Sequence, residues 1–252
     1  MRNIRIIARL DVKTEHLVKG IQLEGLRKLG KPNDFALKYY LQGIDEIIYL
    51  DIVASLYERN SLLPIIEEAS KGIFIPLTVG GGIRSVENVR SALNAGADKI
   101  GVNTAVIKNP QLISQIAEEF GSQCIVASIE AKNTGENSWE VYYDNGREKT
   151  GISVLDWAKE TENRGAGEIL LTSVDREGTG KGMDIDLISN ICDSVAIPVI
   201  ASGGIGEVSQ IREVLENTPV SAIAVAKILH YGNATILEIK DELRKNSSFE
   251  IR

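Results

Sequence analysis

The sequence predicts an α/β fold, a closed (βα)8 TIM barrel assembled from a duplicated half-barrel. Three observations carry that expectation. Eight short apolar runs alternate with amphipathic stretches along the chain. The runs are apolar on both faces, as in strands of a parallel sheet covered by helices. The two halves of the chain also resemble one another at an offset close to 122 residues. A length of 252 residues is the usual size of one such barrel, so a single barrel domain over 1–252 is expected.

In chain order the runs are IRIIARLDV (4–12), EIIYLDIV (46–53), IPLTVGG (75–81), KIGVN (99–103), CIVASIEA (124–131), EILLTSV (168–174), IPVIASGG (197–204) and AIAVAKI (222–228). Between them SVENVRSALNAGA, NPQLISQIAEEFG, VLDWAKETENRGA and EVSQIREVLENTP have helical spacing, and several close on glycine. Parallel strands joined by crossovers of one hand close into a barrel when eight units follow one another. The duplication is read from two matches at one offset. GIDEIIYLDI (43–52) resembles GAGEILLTSV (165–174), and GGIRSVENVRSALNAGADKIGVNT (81–104) resembles GGIGEVSQIREVLENTPVSAIAVAK (203–227). A repeat of half the chain points to a half-barrel, not to a solenoid. After strand 5, TGENSWEVYYDNGREKTG (134–151) carries a DNG turn between aromatic residues and reads as a β-hairpin inserted over the barrel mouth.

Composition narrows the function classes. With 43% hydrophobic and 25% charged residues the chain is ordinary for a soluble globular protein, and no run approaches the ~18 apolar residues of a membrane span. MRNIRIIARLD regains charge after two or three apolar residues, so it reads as a first strand and not as a secretory signal. Cys124 and Cys192 stand 68 residues apart in apolar runs and match no metal spacing. They are expected as buried thiols in a reducing, cytoplasmic compartment. Two histidines, His16 and His230, are too few for a histidine-based zinc centre. A net charge of −7 argues against non-specific nucleic-acid binding. Any phosphate must therefore be held by local backbone and a few placed cations.

In such barrels the reacting groups project from the C-terminal strand ends. Gly80, Gly81 and Gly82 follow strand 3, and Gly203, Gly204 and Gly206 follow strand 7, each ahead of a helix with Ser85 or Ser209 near its start. Glycine there lets backbone N–H groups approach an anion, and the helix start favours negative charge. The alternative is a pair of tight βα turns. Occurrence at symmetry-related places favours two phosphate cradles, completed by Asn103 and Thr104 after strand 4 and by Ala226 and Lys227 after strand 8. A ligand with a phosphate at each end would span the mouth. Asp11 ends strand 1 and Glu130 ends strand 5, so they occupy equivalent places. Facing carboxylates can divide general acid and base work if their surroundings separate their pKa values. The alternative is structural pairing with Lys13, Lys19 or Lys132. Asp51, Glu177, Thr172 and Ser173 are further polar linings of the mouth, and Lys19, placed in the loop after strand 1, is the expected phosphate cation.

With these residues in view, the chain resembles the cyclase subunit of imidazole glycerol phosphate synthase over essentially its whole length. The motifs are ARLDVK (8–13), VKGIQLEGLR (18–27), LDIVAS (50–55), LTVGGGIRS (77–85), VNTA (102–105), FGSQCIV (120–126), GAGEILLTSVDREGT (165–179) and IPVIASGG (197–204). LDIVAS, GSQCIV and GEILLTS separate this family from its isomerase relative in the same pathway. The resemblance implies a lyase of histidine biosynthesis working as a heterodimer. A partner glutaminase docks at the N-terminal barrel face, and its ammonia crosses the core to attack a bis-phosphate aminoimidazole-carboxamide ribulotide. The products are imidazole glycerol phosphate and aminoimidazole carboxamide ribotide, and no metal, nucleotide or redox cofactor is implied. By resemblance Asp11 is the acid/base aspartate and Lys19 the phosphate-region lysine. Gly82, Asn103 and Thr104 form one cradle, and Thr172, Gly178, Gly203 and Gly204 the other side. Arg5, Glu46, Lys99 and Glu168 form the charged ring through which ammonia enters; without the resemblance they read as surface salt bridges.

Four positions depart from the family pattern. Glu130 and Glu177 stand for aspartates, Lys227 for a small serine, and Arg9 for a cysteine in strand 1. An extra methylene moves a carboxylate by roughly 1.5 Å, and misplacement of about 1 Å can cost about 10²-fold in rate. Lys227 would strengthen phosphate binding or take another anion, and Arg9, near the barrel core, needs a partner. The departures define two alternatives to the full cyclase. One is a paralogous barrel relaying ammonia for amidation of a surface nucleotide sugar. The other is a non-catalytic activator of the glutaminase.

Overall fold

The computed structural model describes residues 2–54, 62–245 and 249–252. Ser55, the last residue of the LDIVAS motif, lies outside the described residues. The strands are β1 (Arg2–Lys13), β2 (His16–Ile21), β3 (Glu24–Gly30), β4 (Glu46–Asp51), β5 (Leu77–Gly80), β6 (Lys99–Val102), β7 (Ile125–Gly135), β8 (Ser138–Tyr143), β9 (Glu148–Ser153), β10 (Glu168–Ser173), β11 (Val199–Ser202), β12 (Ala222–Val225) and β13 (Phe249–Ile251). Eight of them, β1, β4, β5, β6, β7, β10, β11 and β12, pair in that order in parallel, and β12 returns to β1. The ring is closed, as the eight apolar runs predict, and no barrel edge remains. Helices Val86–Asn94, Gln111–Phe120, Val154–Asn163 and Val208–Asn217 occupy the four helical stretches expected from spacing.

Strand alternation divides the core in two. On β1, Ile4, Ile6, Ala8 and Leu10 join the large cluster under the helices, whereas Ile7 faces inward. Inside the barrel Ile7 meets Ile48, Val126, Leu170, Ile200, Ala222 and Ala224 in a separate apolar layer. Arg5 and Arg9 share the phase of Ile7, one step toward each end of the strand. The inner side of β1 therefore reads charge, apolar, charge, and Asp11 continues it at the mouth.

Two β-hairpins stand at equivalent points above the barrel. The one from the 134–151 segment forms a three-stranded meander of β7, β8 and β9. The other, β2 paired antiparallel with β3, corrects the loop expected after strand 1. Lys19 is therefore a strand residue. The loop reading failed because the turn residues are Gln22 and Leu23, both at positive φ (52° and 65°), without the Asn-Gly signature that announces such turns. Of the two serines near the helix starts, Ser85 caps its helix by accepting from Asn88 N, and in the equivalent helix the capping residue is Glu207. Cys124 is buried and Cys192 only partly so; neither is in a disulfide.

Candidate active site

The barrel closes at its N-terminal end on four charges. Arg5 Nη1 donates to Glu46 Oε1 at 2.8 Å, and its Nη2 donates to Glu168 Oε1. Lys99 Nζ reaches Glu46 Oε2 at 3.1 Å and Glu168 Oε2 at 3.0 Å. Each cation thus touches both acids, and the ring is neutral. Above it stands the apolar layer of Ile7 and its neighbours.

The next polar level is built on Arg9, 3% exposed. Its Nε donates to Asp11 Oδ1 at 2.8 Å, and its Nη1 donates to Thr172 Oγ1 at 2.9 Å and Ser202 Oγ at 3.0 Å. The guanidinium therefore crosses from β1 to β10 and β11. Lys19 Nζ approaches Asp11 Oδ2 at 3.4 Å and is bonded to Glu177 Oε1. Two cations and two carboxylates share one buried cluster. Burial opposes the charge of Asp11, but Arg9 and Lys19 outweigh it and hold its carboxyl down at about 2. His230, at the end of the short helix Lys227–His230, stays neutral: Nε2 donates to the Arg9 carbonyl at 3.1 Å, so Nδ1 accepts from the Tyr39 hydroxyl at 2.8 Å. Burial and the Lys19 charge lower its pKa to about 4.

Glu130 lives differently. Its Oε2 accepts from Gly146 N at 2.7 Å, in the DNG turn between β8 and β9, and no salt bridge to it occurs among the described residues. Burial pushes its carboxyl up to about 7, against the Gly146 N–H, the Arg9 charge and the Asn103 side chain. It borders a cavity of about 280 Å³ with Arg9, Gly82, Asn103, Thr104 and Lys108, near the small end of ligand-sized pockets. Asn103 Oδ1, at that cavity, is buried with no hydrogen-bond partner among the described residues. Thr104 Oγ1 accepts from Asp144 N at 3.3 Å.

Backbone geometry at the two cradles repeats closely. Gly81 has φ 95° and Gly203 φ 100°, and the residues capping the following short helices, Asn103 and Ala226, have φ,ψ of −137°,−92° and −133°,−74°. Their surroundings differ. Gly81 and Gly82 are partly exposed, whereas Gly178, Gly203 and Gly204 are buried. A Cβ on Gly204 would lie 2.1 Å from the Gly182 carbonyl oxygen, and one on Gly178 would lie 2.2 Å from that of Gly20, so close backbone packing requires glycine there. Lys227 Nζ donates to the Thr179 carbonyl at 3.2 Å. Ser173 Oγ is buried without a hydrogen-bond partner among the described residues.

The structure thus gathers Asp11, Lys19, Thr172 and Glu177 around Arg9, and Glu130, Gly82, Asn103 and Thr104 around the cavity. Gly178, Gly203 and Gly204 are covered and lie beside Glu177, and Lys227 is partly buried at the Thr179 carbonyl. Sequence reasoning left out Arg84 and Lys108, which line the cavity, and His230 as a member of the mouth. Arg84 stands two residues after Gly82 and Lys108 closes the helix that Thr104 starts, so their placement beside the first cradle was a usable signal. His230 gave none, because its partners Tyr39 and the Arg9 carbonyl are distant in sequence.

The family model described as "Histidine biosynthesis protein" matches residues 5–235. An imidazole glycerol phosphate synthase subunit HisF of Legionella pneumophila is 58% identical over 210 residues, 83% of this chain and 99% of the relative. The protein of the same name from Lactococcus lactis subsp. lactis (strain IL1403) is 50% identical over 244 residues, 96% of this chain and 94% of the relative. That from Bacillus cereus (strain Q1) is 48% identical over 248 residues, 98% of each. Family match, identity and coverage agree with the closed barrel: the chain belongs to the histidine biosynthesis protein family, among the cyclase subunits of imidazole glycerol phosphate synthase.

Proposed function

We propose that ammonia released by a separate glutaminase subunit enters this barrel at the Arg5–Glu46–Lys99–Glu168 ring and reacts at the opposite mouth. There it converts the bis-phosphate aminoimidazole-carboxamide ribulotide to imidazole glycerol phosphate and aminoimidazole carboxamide ribotide. The observation that carries this reading is the order of layers along the axis. A neutral charged ring is followed by the apolar layer of Ile7, Ile48, Val126, Leu170 and Ile200, and then by a mouth with two carboxylates of different character. Neutral ammonia tolerates an apolar layer, whereas ammonium entering it would lose its hydration at a cost of several kcal/mol. The glutaminase docks on the face that carries the ring.

Gly82, Asn103 and Thr104 hold one phosphate, with Lys108 and Arg84 nearby. Gly203, Gly204, Gly178 and Thr172 shape the other end, where Lys227 turns from the Thr179 carbonyl to the phosphate. Asp11 and Glu130 are the catalytic carboxylates. Lys19 acts through Asp11 and Glu177, to which its ammonium is bound. The reaction proceeds in the cytoplasm.

The test is turnover of the ribulotide by the purified chain with ammonium salt, and with glutamine plus glutaminase. Turnover with both, and loss of both in Asp11→Asn, is the expected result. No turnover with either, together with a rate gain of tenfold or more in Glu130→Asp, would replace cyclisation by relay or activation.

A further inference from the structure

We propose that Arg9 is a positioning residue that fixes Asp11 as a permanent carboxylate and so leaves Glu130 as the proton-carrying group of the mouth. The inference rests on the cyclisation reading above and assigns its two acids unequal parts. Both oxygens of Asp11 face cations: Arg9 Nε stands 2.8 Å from Oδ1 and Lys19 Nζ 3.4 Å from Oδ2. A proton on either oxygen would point at an N–H donor. Arg9 cannot turn away freely, because Nη1 also serves Thr172 and Ser202 at 2.9 and 3.0 Å. Releasing it would leave two buried hydroxyls and a buried carboxylate without their donor.

Charge counting gives the same division. Arg9 and Lys19 are balanced by Asp11 and Glu177, and His230 is neutral by its own hydrogen bonds. An ionised Glu130 would add a third carboxylate to a cluster that two already neutralise. The groups facing Glu130 are Arg9 from β1, Asn103 from the end of β6, and Asp144 and Gly146 from the hairpin turn. Burial disfavours its charge and Asp144 repels it, and together they outweigh the Gly146 N–H, Arg9 and the Asn103 side chain. The groups facing Asp11 are Arg9, Lys19 and His230. The opposite shifts of the two carboxyls, down for Asp11 and up for Glu130, follow from these partners.

The proton accounting for attack on a carbonyl is then simple. Ammonia adds to give a carbinolamine. Glu130 gives its proton to the departing hydroxyl as the C–O bond breaks and the nitrogen lone pair closes C=N. Water leaves, and the Glu130 carboxylate recovers a proton from the iminium nitrogen. Asp11 stays ionised throughout and offsets the positive charge that develops on that nitrogen.

Carboxyl ¹³C NMR titration of the full chain tests this, with ammonium-driven turnover of the ribulotide measured beside it. In the wild type the Glu130 resonance should move with a midpoint near 7, while Asp11 stays ionised from pH 4 to 9. In Arg9→Met both midpoints should rise by about one unit or more, and Arg9→Lys should restore part of the shift. An Asp11 midpoint above 5 in the wild type, or midpoints unmoved in both Arg9 variants, would overturn the inference. If Arg9→Met does not fold, the wild-type titration and Arg9→Lys decide it. Absent turnover would sink the cyclisation reading; the titration judges the Arg9 clamp separately.

Discussion

The two half-barrels have nearly the same backbone and different chemistry. The first half ends in Gly81 and Gly82, partly exposed beside a cavity of about 280 Å³. The second ends in Gly203, at a φ matching that of Gly81, and Gly204, both buried beneath the 174–184 loop, with Gly182 N donating to the Gly204 carbonyl at 2.9 Å. The acids differ in the same way. Asp11 sits in a balanced cluster of two cations and two carboxylates and is ion-paired on both oxygens, whereas Glu130 accepts one backbone N–H and has Arg9, Asn103 and a neighbouring acid around it with no salt bridge among the described residues. Duplication supplied two copies of one scaffold. The loops and charges around each copy decide whether it is an open site, a covered one, an anion or a proton carrier.

The largest expected effect breaks the comparison at the acids. Glu130→Gln should lower ammonia-dependent kcat by about 10²–10⁴-fold, and Glu130→Asp by about 10²-fold through misplacement. Asp11→Asn should also stop turnover, but with a different signature. It leaves Arg9 and Lys19 short of a buried partner and should cost about 3–5 kcal/mol of stability, seen as an earlier denaturant midpoint. Glu130→Gln should not share that loss.

Stability against pH sharpens the same contrast. Glu130 has its folded pKa raised from 4.5 to about 7, so the native state holds a proton there that the unfolded chain has released. Its contribution falls as pH rises from 4.5 to 7, by up to about 3 kcal/mol. His230 is lowered from 6.5 to about 4, so its contribution is lost as pH falls through that window, by a similar amount. Between pH 4.5 and 6.5 the two oppose each other, and these sites leave the wild type nearly flat. Glu130→Gln should uncover the His230 slope, with melting temperature rising across that range. A wild-type-like flat profile in this variant would refute the assignment.

A smaller effect separates the cradles. Lys227→Met should raise KM for the bis-phosphate about tenfold, equivalent to ~1.4 kcal/mol, with kcat changed much less. The smallest concerns the ring. Glu168→Gln should weaken glutamine-dependent turnover by several-fold more than ammonium-dependent turnover, because it removes one acid that Arg5 and Lys99 share.

The barrel was legible because buried parallel strands leave continuous apolar runs, and its halves because Glu46 and Glu168, or Gly82 and Gly204, keep one offset. The β2–β3 hairpin was not, since Gln22 and Leu23 take left-handed backbone without glycine or asparagine. Arg9 was legible as a buried charge in need of a partner. Its spacing of two from Asp11 puts both on the inner face of one strand, which identifies that partner in retrospect. The unlike cradles could not be read, because Gly81-Gly82 and Gly203-Gly204 are alike in sequence and differ only in what loop 174–184 covers. The separated pKa values of Asp11 and Glu130 were invisible for the same reason: they arise from Lys19, Glu177 and Gly146, brought together by two hairpins and a loop.

The most direct measurement is ammonium-driven conversion of the bis-phosphate ribulotide by the purified chain, followed against pH in wild type and Glu130→Gln. The account predicts turnover in the wild type with an inflection near pH 7 and its loss in Glu130→Gln. Wild-type turnover that Glu130→Gln leaves intact, or no wild-type turnover at any pH, would contradict it.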